Sequence, residues 1–411
     1  MERLYWNNDW KFAETWEEAM KEAVYPENEM EDVRLPHTCK ELPYHYFDEH
    51  AYQMLCGYRR HFMASEAWQG KRVELTFEGV AHDAVVYVNG TEVKAHHCGY
   101  TAFSVELAKY LKYGEDNVLA VRVDSRENLN IPPFGYAIDY MTFGGMYREV
   151  YVQVRNKTHL ADVFVKPQIH PLQVTTEITV QNISDGITLQ QEIRKKGEGA
   201  YSPLGQKPVK QTNVQTVFPV QEICLWEPEN PHLYEIRTSL WKNGEMIDAR
   251  VDITGFREAG FRKDGFYLNG KKLRLRGLNR HQSYPYVGYA APASMQIFDA
   301  DILKKELGVN AVRTSHYPQS QDFIRRCDEI GLLVFTEFPG WQHIGDEEWK
   351  RQAVQNLKEM IVQYRNHPSI ILWGVRINES QDDDVFYRET NRVAHELDDT
   401  LSLIHISEPT R

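Results

Sequence analysis

The chain has few of the features that mark nucleic-acid-binding, membrane or secreted proteins. Its 47 Lys and Arg residues are scattered and outnumbered by 59 Asp and Glu, so no basic run could follow a phosphate backbone. No apolar run approaches the roughly 20 residues of a membrane span. The N-terminus lacks the basic and apolar segments of a signal peptide. We therefore expect a cytoplasmic protein with no nucleic-acid and no membrane partner.

Cysteine is also scarce, with five residues in 411, and no Cys-x-x-Cys or Cys/His spacing occurs. This pattern argues against a disulfide framework and against a zinc site. A composition of 42% hydrophobic and 26% charged residues with net charge −12 is typical of a globular chain. Its length predicts two to four domains. The 23 Tyr and 9 Trp suit β-sandwich cores, their commoner use, or the faces of sugars.

The last eleven residues, 401–411, read LSLIHISEPTR. They match, codon for codon, the translation of a transposase adapter used in DNA library preparation. We interpret them as an artefact and leave them out of the fold prediction. We therefore expect the natural gene to continue beyond about Thr400, and an ordinary C-terminal tail is the alternative.

Residues 1–156 have the pattern of an all-β domain. Apolar and polar residues alternate in RVELTFEGV (72–80), DAVVYVNGTEV (83–93) and NVLAVRVD (117–124), as in half-buried strands. Asn89-Gly90 predicts a tight hairpin, because both residues tolerate positive φ. Short strands at regular spacing indicate a jelly-roll sandwich.

Residues 157–257 form a second block of predicted strands. The stretches VTTEITVQN (174–182), LYEIRTSLWKNGE (233–245) and ARVDITGF (249–256) are separated by Gly, Pro and Asn turns. A block of about 100 residues with this pattern fits an immunoglobulin-like sandwich. Neither block contains an obvious catalytic cluster.

In residues 258–400 the apolar period changes to alternating strands and helices. Strands are predicted at 272–281, 309–316, 332–338 and 369–379. Helices are predicted at 294–307, 320–330, 347–364 and 383–398, the first with Phe298, Ile302 and Leu303 on one face. This alternation predicts parallel strands with helical crossovers. A (β/α)8 TIM barrel needs about 250 residues, so these residues correspond to its first half.

Active sites of such barrels lie at the C-terminal ends of the strands. The four predicted strands end in polar residues, namely Arg280 and His281, His316, Glu337, and Asn378 and Glu379. Taken singly, Arg280 could close an ion pair and His316 could be a hydrogen-bonded core histidine. Four such strand ends on one rim predict a site.

Glu379 ends the apolar sequence ILWGVRINE. Burial at the mouth of an apolar strand would disfavour the charged carboxylate and raise its pKa, as a general acid requires. Asn378 could donate to a substrate hydroxyl. The alternative interpretation of Asn378-Glu379 is a helix N-terminal cap.

Longer motifs, in order along essentially all of residues 1–400, resemble glycoside hydrolase family 2, and most closely its β-galactosidases. The first domain has LPHTC (35–39), GYRRHF (57–62), FEGVAHDAVVYVNG (77–90), GYTAF (99–103), NVLAVRVD (117–124) and GGMYREVYV (144–152). The rest has LWEPENPHLYEI (225–236), GLNRHQ (277–282), NAVRTSHYPQSQDFIRRCDEIGLLVFTE (310–337) and WGVRINES (373–380).

The resemblance implies a sugar-binding jelly roll, an immunoglobulin-like domain and a catalytic barrel. It implies retaining hydrolysis of a terminal β-glycoside by two glutamates, with Glu379 matching the acid/base. The nucleophile would be a Glu on the seventh barrel strand, which this chain does not reach. Arg280, His281 and His316 fall in motifs that shape the sugar subsite. Asp139 precedes GGMYREV, where a first-domain loop can reach the active site.

The sequence departs from the family at a metal site. Large β-galactosidases carry a Glu-x-His after the third strand that binds Mg²⁺. Here the region reads EFPGWQHIG (337–345), in which His343 matches the histidine but Trp341 and Gln342 stand where a carboxylate is expected. This argues against Mg²⁺, and Glu337 could order the rim instead. No organic cofactor is implied.

The main alternatives differ in substrate and in class. A β-glucuronidase or β-mannosidase of the same family would share these motifs, although Ser380 favours a galactosidase. A non-catalytic carbohydrate-binding fragment is the alternative from another class. The chain alone is expected to be inactive, because the nucleophile is missing, and to expose an unpaired fourth-strand edge. The oligomeric state of the full-length parent stays open, a homo-oligomer included.

Overall fold

The computed structural model describes residues 3–45, 48–135 and 138–401 and the backbone of 403–404. Most of the adapter-like tail therefore lies outside the described residues. Within the described ranges, two antiparallel sandwiches precede a parallel α/β sheet, and no helix there is long and apolar enough to cross a bilayer. All five cysteines have free thiols, and only Cys224 is exposed.

The first domain is a sandwich of a six-stranded and a four-stranded sheet, with strand orders β3-β2-β4-β9-β6-β7 and β1-β10-β5-β8. Its strands are β1 (Leu4–Tyr5), β2 (Trp10–Ala13), β3 (Glu31–Val33), β4 (Leu55–Met63), β5 (Arg72–Phe77), β6 (Asp83–Val88), β7 (Thr91–His96), β8 (Phe103–Glu106), β9 (Asp116–Asp124) and β10 (Val150–Arg155). Single 3₁₀ turns lie at Glu18–Lys21, Glu49–Tyr52 and Glu66–Trp68. Asn89 and Gly90, at φ 50° and 83°, join β6 to β7, so the predicted hairpin is confirmed.

The second domain has the predicted immunoglobulin-like architecture. A three-stranded sheet, ordered β11-β12-β15, faces a four-stranded sheet, ordered β14-β13-β16-β17. The strands are β11 (His159–Gln168), β12 (Gln173–Gln181), β13 (Ile187–Lys195), β14 (Ser202–Pro208), β15 (Asn213–Pro219), β16 (Tyr234–Lys242) and β17 (Glu245–Thr254). Alternate residues of these strands, such as Val174, Ile178 and Leu189, fill the core between the sheets.

A small antiparallel sheet, which the sequence analysis did not predict, precedes the barrel strands. It comprises β18 (Ala259–Arg262), β19 (Gly265–Leu268) and β20 (Lys271–Leu273). The predicted strand 272–281 is therefore wrong as one element. Asn269 and Gly270 both have positive φ and fold β20 back onto β19, so the chain must leave this sheet before the barrel begins. Phe266 and Leu268 then pack on Leu372 of the barrel.

The barrel portion is a five-stranded parallel sheet ordered β21-β22-β23-β24-β25. Its strands are β21 (Gly277–Arg280), β22 (Ala311–Thr314), β23 (Leu333–Glu337), β24 (Ile370–Gly374) and β25 (Leu403–Ile404). Its helices are α1 (Ala293–Asp301), which continues as a π-helical turn over Ile302–Glu306, α2 (Gln321–Ile330), α3 (Glu347–Tyr364) and α4 (Asp384–Leu397). The predicted strand–helix alternation and parallel pairing are confirmed.

The helix boundaries follow the expected capping chemistry. At the start of α2 the Ser320 hydroxyl accepts a hydrogen bond from the backbone amide of Asp322 at 3.2 Å. At its end Gly331 has φ 69°, a left-handed conformation that glycine adopts without strain. The predicted helix 347–364 is α3 itself, and its inward face is buried as expected.

The outer edge of β21 is open in the described chain. Leu278 on this strand is 48% exposed, and Phe298 on α1 is 58% exposed. Of Phe298, Ile302 and Leu303, which were predicted to share one face of the helix, Leu303 is buried and Phe298 is exposed. The fourth-strand edge was expected to be unpaired, yet β25 pairs with β24.

The first domain and the barrel share a polar junction centred on Arg148. Its buried guanidinium donates to the Tyr100 carbonyl at 3.0 Å within the first domain. It also donates to the Gln282 side chain at 3.1 Å and to the Pro318 carbonyl at 3.2 Å in the barrel. Tyr100 stacks on Tyr317 with ring centroids 4.4 Å apart. The junction therefore fixes the loops after β21 and β22 against the first domain.

Glu78 is a buried carboxyl close to this junction. It is 4% exposed and lies 3.3 Å from Arg3. Burial raises the pKa of Glu78 to about 7, helped by Glu149 and opposed by Arg3. The folded state therefore holds the Glu78 proton up to higher pH than the unfolded state does.

We predict that Glu78→Gln stabilises the chain only at high pH. The pKa of Glu78 is about 7 in the folded state and near 4.5 in the unfolded state. The chain therefore loses folding stability as the pH rises from about 4.5 through 7. The variant should match the parent at pH 4 and be more stable at pH 8, by roughly 2 kcal/mol. Thermal unfolding at both pH values measures this. Glu92→Gln, an exposed glutamate on β7, is the control, and an equal shift at both pH values would contradict the prediction.

We also predict that Leu278→Lys reduces self-association. An open strand edge with exposed apolar side chains invites pairing between molecules, and an edge lysine opposes it. Light scattering after gel filtration should show less oligomer at high concentration. Val24→Lys, at a loop residue that is 95% exposed, is the control, and equal effects of the two substitutions would speak against the β21 edge.

Candidate active site

The parallel register places the ends of four strands along one edge of the sheet. Arg280 pairs with Thr314, and Thr314 pairs with Thr336. Glu337 pairs with Gly374. The residues that follow these positions therefore meet above the sheet.

Glu337 is the buried centre of this edge. It is 1% exposed, and its Oε1 lies 2.7 Å from Nδ1 of His316. Its Oε2 accepts from Arg313 Nη2 at 2.8 Å and from Nε at 3.1 Å. Charge-assisted bonds of this kind are stronger than neutral ones. Both oxygens of Glu337 are therefore engaged by protein groups, which fits a role in ordering the rim.

Arg313 extends the network to the fourth strand, since its Nη2 also donates to Oδ1 of Asn378 at 2.8 Å. The sequence analysis missed this residue. The signal was present in VNAVRTSH, where strand alternation places Arg313 on the face opposite Val312 and Thr314. That face is the barrel interior, so an arginine there needs a buried acidic partner.

The loop carrying Asn378 and Glu379 is held by the loop after β23. The Gln342 amide donates to the Asn378 carbonyl at 2.9 Å, and Trp341 pairs with Asn378 as an isolated parallel bridge. Gln342 Nε2 donates to Glu379 Oε2 at 3.0 Å. Glu379 and Gln342 both have φ 55°, an uncommon conformation for residues other than glycine.

The expectation of a buried Glu379 is wrong for the described chain. Strand β24 ends at Gly374, five positions before Glu379, so the carboxylate lies on a loop and its side chain is exposed. The desolvation expected from an apolar strand is therefore absent. Oε2 binds Gln342.

Aromatic rings form one wall of the site. His281 and His316 have ring centroids 5.7 Å apart, and Trp341 packs on His316 at 4.6 Å. Tyr140, from the first domain, lies 5.1 Å from His281 and 6.0 Å from His316. With Nδ1 of His316 bound to Glu337, Nε2 is the nitrogen left for another partner.

The first-domain loop that carries Asp139 and Tyr140 therefore lies close to these rings. The Asp139 side chain is exposed, and its charge acts on the rings of His281 and Tyr140. The pKa of His281 is lowered, mainly because burial disfavours its charged form and further by the charge of His316. The charges of Asp139 and Glu337 oppose this shift. Close approach explains these effects.

Arg280 does not join this group. It lies on the helix-facing side of β21, in register with Thr314. Its guanidinium donates to Asp299 and Gln296 of α1 and lies 4.1 Å from the ring of Phe323. This geometry is the ion pair that was the alternative interpretation of Arg280.

The residues after β23 do not fit the Mg²⁺ site implied by the resemblance. The His343 ring meets Trp349 edge-on at 5.7 Å and packs against Gly135, and Gln342 contributes an amide donor to Glu379. Across the described ranges, no group of three or more His, Cys, Asp or Glu side chains could hold a metal ion.

The site presents the exposed carboxylate of Glu379, the Gln342 amide that binds it, and the imidazole rings of His281 and His316. Such a carboxylate can exchange a proton with a bound oxygen atom, and the neighbouring side chains can bind hydroxyl groups. No second carboxylate is free in the buried network, because Glu337 is bound on both oxygens.

Three family models match the chain in sequence order. "Glycosyl hydrolases family 2, sugar binding domain" matches residues 32–155, "Glycosyl hydrolases family 2" matches 158–257, and "Glycosyl hydrolases family 2, TIM barrel domain" matches 260–409.

Similar proteins carry glycosidase names. A β-galactosidase of Thermoanaerobacter pseudethanolicus is 48% identical over 96% of this chain and 54% of its own length. One from Thermoanaerobacterium thermosulfurigenes is 46% identical over 96% of this chain and 56% of its own. The chain thus spans about half the length of these relatives.

A solved structure agrees with the fold. Bacteroides uniformis β-glucuronidase 2, covalently bound to cyclophellitol-6-carboxylate aziridine, superposes with a TM-score of 0.88 at 28% identity, covering 98% of this chain and 52% of that one. With matches of one family across all three domains, the chain belongs to glycosyl hydrolase family 2.

Proposed function

We propose that the whole protein is a retaining exo-glycosidase that removes terminal β-linked galactose, with Glu379 as acid/base. The observation that carries the proposal is the network from Glu337 through Arg313 to Asn378, which fixes the residue before Glu379. The names of two similar relatives, both β-galactosidases, support the sugar.

In the proposed mechanism, Glu379 first protonates the glycosidic oxygen while a second glutamate attacks the anomeric carbon. The Glu379 carboxylate then removes a proton from a water molecule, whose oxygen attacks the anomeric carbon and breaks the bond between the sugar and the second glutamate. Retaining chemistry needs two carboxyl groups about 5–5.5 Å apart. Both oxygens of Glu337 are engaged by Arg313 and His316, which speaks against Glu337 in that role. As the family resemblance implies, we assign the nucleophile to a glutamate on the seventh barrel strand.

The identity of the substrate sugar is inferred from the side chains at the ends of the barrel strands. Recognition of a glucuronide, the alternative substrate, requires a cation for its carboxylate. Among the described residues of this edge, Arg280 is bound to Asp299 and Arg313 to Glu337. A neutral sugar needs no such cation, and Asn378, His281, His316 and Asp139 offer it hydrogen-bonding groups, whereas the cation for a glucuronide would have to come from the rest of the whole protein. The experiment below also tests the β-mannosidase alternative and a purely carbohydrate-binding role for the fragment.

We predict that the 411-residue chain does not hydrolyse nitrophenyl β-galactoside, and that the whole protein does. In the whole protein, Glu379→Ala should lower kcat about 10²–10⁴-fold, because general acid–base catalysis is lost. Added azide should restore turnover and give the β-galactosyl azide, since a small anion can attack the glycosyl-enzyme without a general base. Product analysis by NMR checks the configuration.

The control for this experiment is Glu389→Ala, which removes a partly exposed glutamate of α4. Its activity should match that of the parent. Full activity of Glu379→Ala, or an α-configured azide, would contradict the assignment. Faster turnover of nitrophenyl β-glucuronide or β-mannoside would replace galactose by that sugar.

Arg313 is predicted to be a positioning residue. In the whole protein, Arg313→Met should lower kcat roughly 10–100-fold with a smaller change in KM, because a misplacement of about 1 Å of Asn378 and Glu379 affects the chemical step. Arg313→Lys should recover part of the loss but not all, since lysine cannot bind bidentately. Arg274→Met, at an exposed arginine, is the control. An unchanged kcat in Arg313→Met would contradict this role.

A further inference from the structure

Three consecutive residues after β23 contact three different parts of the candidate active site. The Trp341 ring packs on His316 with centroids 4.6 Å apart. The Gln342 side chain donates to the Glu379 carboxylate at 3.0 Å. The ring of the third residue, His343, instead lies against the first domain. These three residues therefore join the aromatic wall, the candidate acid/base and the first domain.

The contact between His343 and the first domain depends on a glycine. A Cβ atom at Gly135 would collide with the His343 ring, so any other residue there would displace the imidazole. Gly135 also has φ 136°, in the region that glycine adopts more readily than other residues. The backbone of the first domain can therefore approach the imidazole this closely only because position 135 has no side chain.

The first-domain segment around Gly135 is tied to the barrel at two points. The Phe134 carbonyl accepts a hydrogen bond from the Trp349 indole of α3 at 3.0 Å. Farther along the segment, the Met141 carbonyl accepts from the Tyr289 hydroxyl at 2.8 Å. The backbone on which the imidazole packs is therefore fixed relative to the barrel.

The His343 ring contributes packing rather than charge or hydrogen bonding. Burial lowers the pKa of this imidazole, so the ring is neutral at pH 7. It packs on Gly135 and meets the Trp349 ring edge-on at 5.7 Å, and its side chain forms no hydrogen bond with another described residue. The histidine that matches a metal ligand in the family resemblance thus has a different set of contacts in this chain.

A fixed His343 restrains the residue before it. The backbone amide of Gln342 donates to the Asn378 carbonyl at 2.9 Å, and its side chain donates to Glu379. Because adjacent Cα atoms are only about 3.8 Å apart, a shift of His343 would carry both of these donors with it. A displacement of about 1 Å is enough to impair a catalytic group roughly 10²-fold.

We propose that His343 is a positioning residue, which fixes the loop after β23 against Gly135 of the first domain and so orients the Glu379 carboxyl through Gln342. The inference rests on the proposed function, because it concerns the acid/base role of Glu379. It adds that the first domain acts on the proton-transfer step, and that a packed ring holds the loop where the family resemblance implies a metal ligand.

The test compares two aryl glycosides of the sugar that the whole protein cleaves fastest. A phenyl leaving group needs a proton from Glu379, whereas dinitrophenolate departs without one, and kcat/KM reports this step. His343→Ala should lower kcat/KM about 10–100-fold for the phenyl glycoside and less than about 3-fold for the dinitrophenyl glycoside. His343→Phe, which keeps a neutral ring, should recover most of the loss. His395→Ala, at an exposed histidine of α4, should change neither value.

A double-mutant cycle tests the contact itself. Gly135→Ala should cause the same selective loss, because the new Cβ displaces the His343 ring. In Gly135→Ala/His343→Ala the loss should be smaller than the product of the two single losses, as for residues that act through one contact. The strain that alanine adds at φ 136° is present in both backgrounds and cancels from the cycle.

Glu379→Ala, measured with both substrates, separates this inference from the proposed function. A selective loss in Glu379→Ala but not in His343→Ala overturns the inference alone, and equal losses for both substrates in Glu379→Ala overturn both. Single losses that multiply in the cycle, or equal losses for both substrates in His343→Ala with a lower melting temperature, indicate a structural role only and overturn the inference. An equal loss in His343→Phe and His343→Ala also overturns it, because the histidine would then act through its nitrogen atoms.

Discussion

The buried carboxylate of Glu337 is the constraint on which the rim depends. A charge that is 1% exposed costs several kcal/mol unless opposite charges and hydrogen bonds surround it. Arg313 from β22 and His316 from the following loop supply them. Any shift between β22 and β23 would separate these groups and leave a buried charge unpaired, at roughly 3–5 kcal/mol. The pairing thus fixes the register of the two strands and, through Arg313, the position of Asn378 on the loop after β24.

The rim is held from outside the sheet as well. Arg148 of the first domain donates to Gln282 and to the Pro318 carbonyl, each just beyond a barrel strand. These bonds set the height of the loops that carry His281 and His316. Because Arg148 is buried and cannot lose its charge, moving the first domain away would deprive the cation of two acceptors, the Gln282 side chain and the Pro318 carbonyl. The first domain is therefore part of the site and more than a neighbour of it.

Much of this could be predicted from the sequence, and the failures have physical causes. The change in the spacing of apolar residues predicted the parallel sheet with its helices, because apolar repeats of 3.6 and of two residues are local properties of the sequence. The orientation of Arg280 was mispredicted because rim position was read without strand parity, which places Arg280 on the face of Leu278 and Thr314, toward the helices. The exposure of Glu379 was missed because Val375 and Ile377 continue the apolar pattern after the hydrogen-bonded strand ends at Gly374.

Contacts between distant segments were out of reach of local patterns. Nothing in WQHIG indicates that Gln342 would meet Glu379, since that bond joins loops 37 residues apart. The lack of a carboxylate at positions 341 and 342 argued against a metal site. Where the family has a metal-binding carboxylate, this chain has Gln342, whose side-chain amide donates to the Glu379 carboxylate.

This replacement changes how the carboxylate is controlled. A metal-bound carboxylate beside Glu379 would add charge, whereas the Gln342 amide adds a neutral donor to one oxygen and leaves the other oxygen without that bond. Orientation must then come from the backbone. The left-handed φ of 55° at both Gln342 and Glu379 costs on the order of 1–3 kcal/mol per residue, and the Gln342–Asn378 backbone bond offsets part of it. Strain at these two residues is thus the local cost of directing one carboxylate out of a loop without a metal ion.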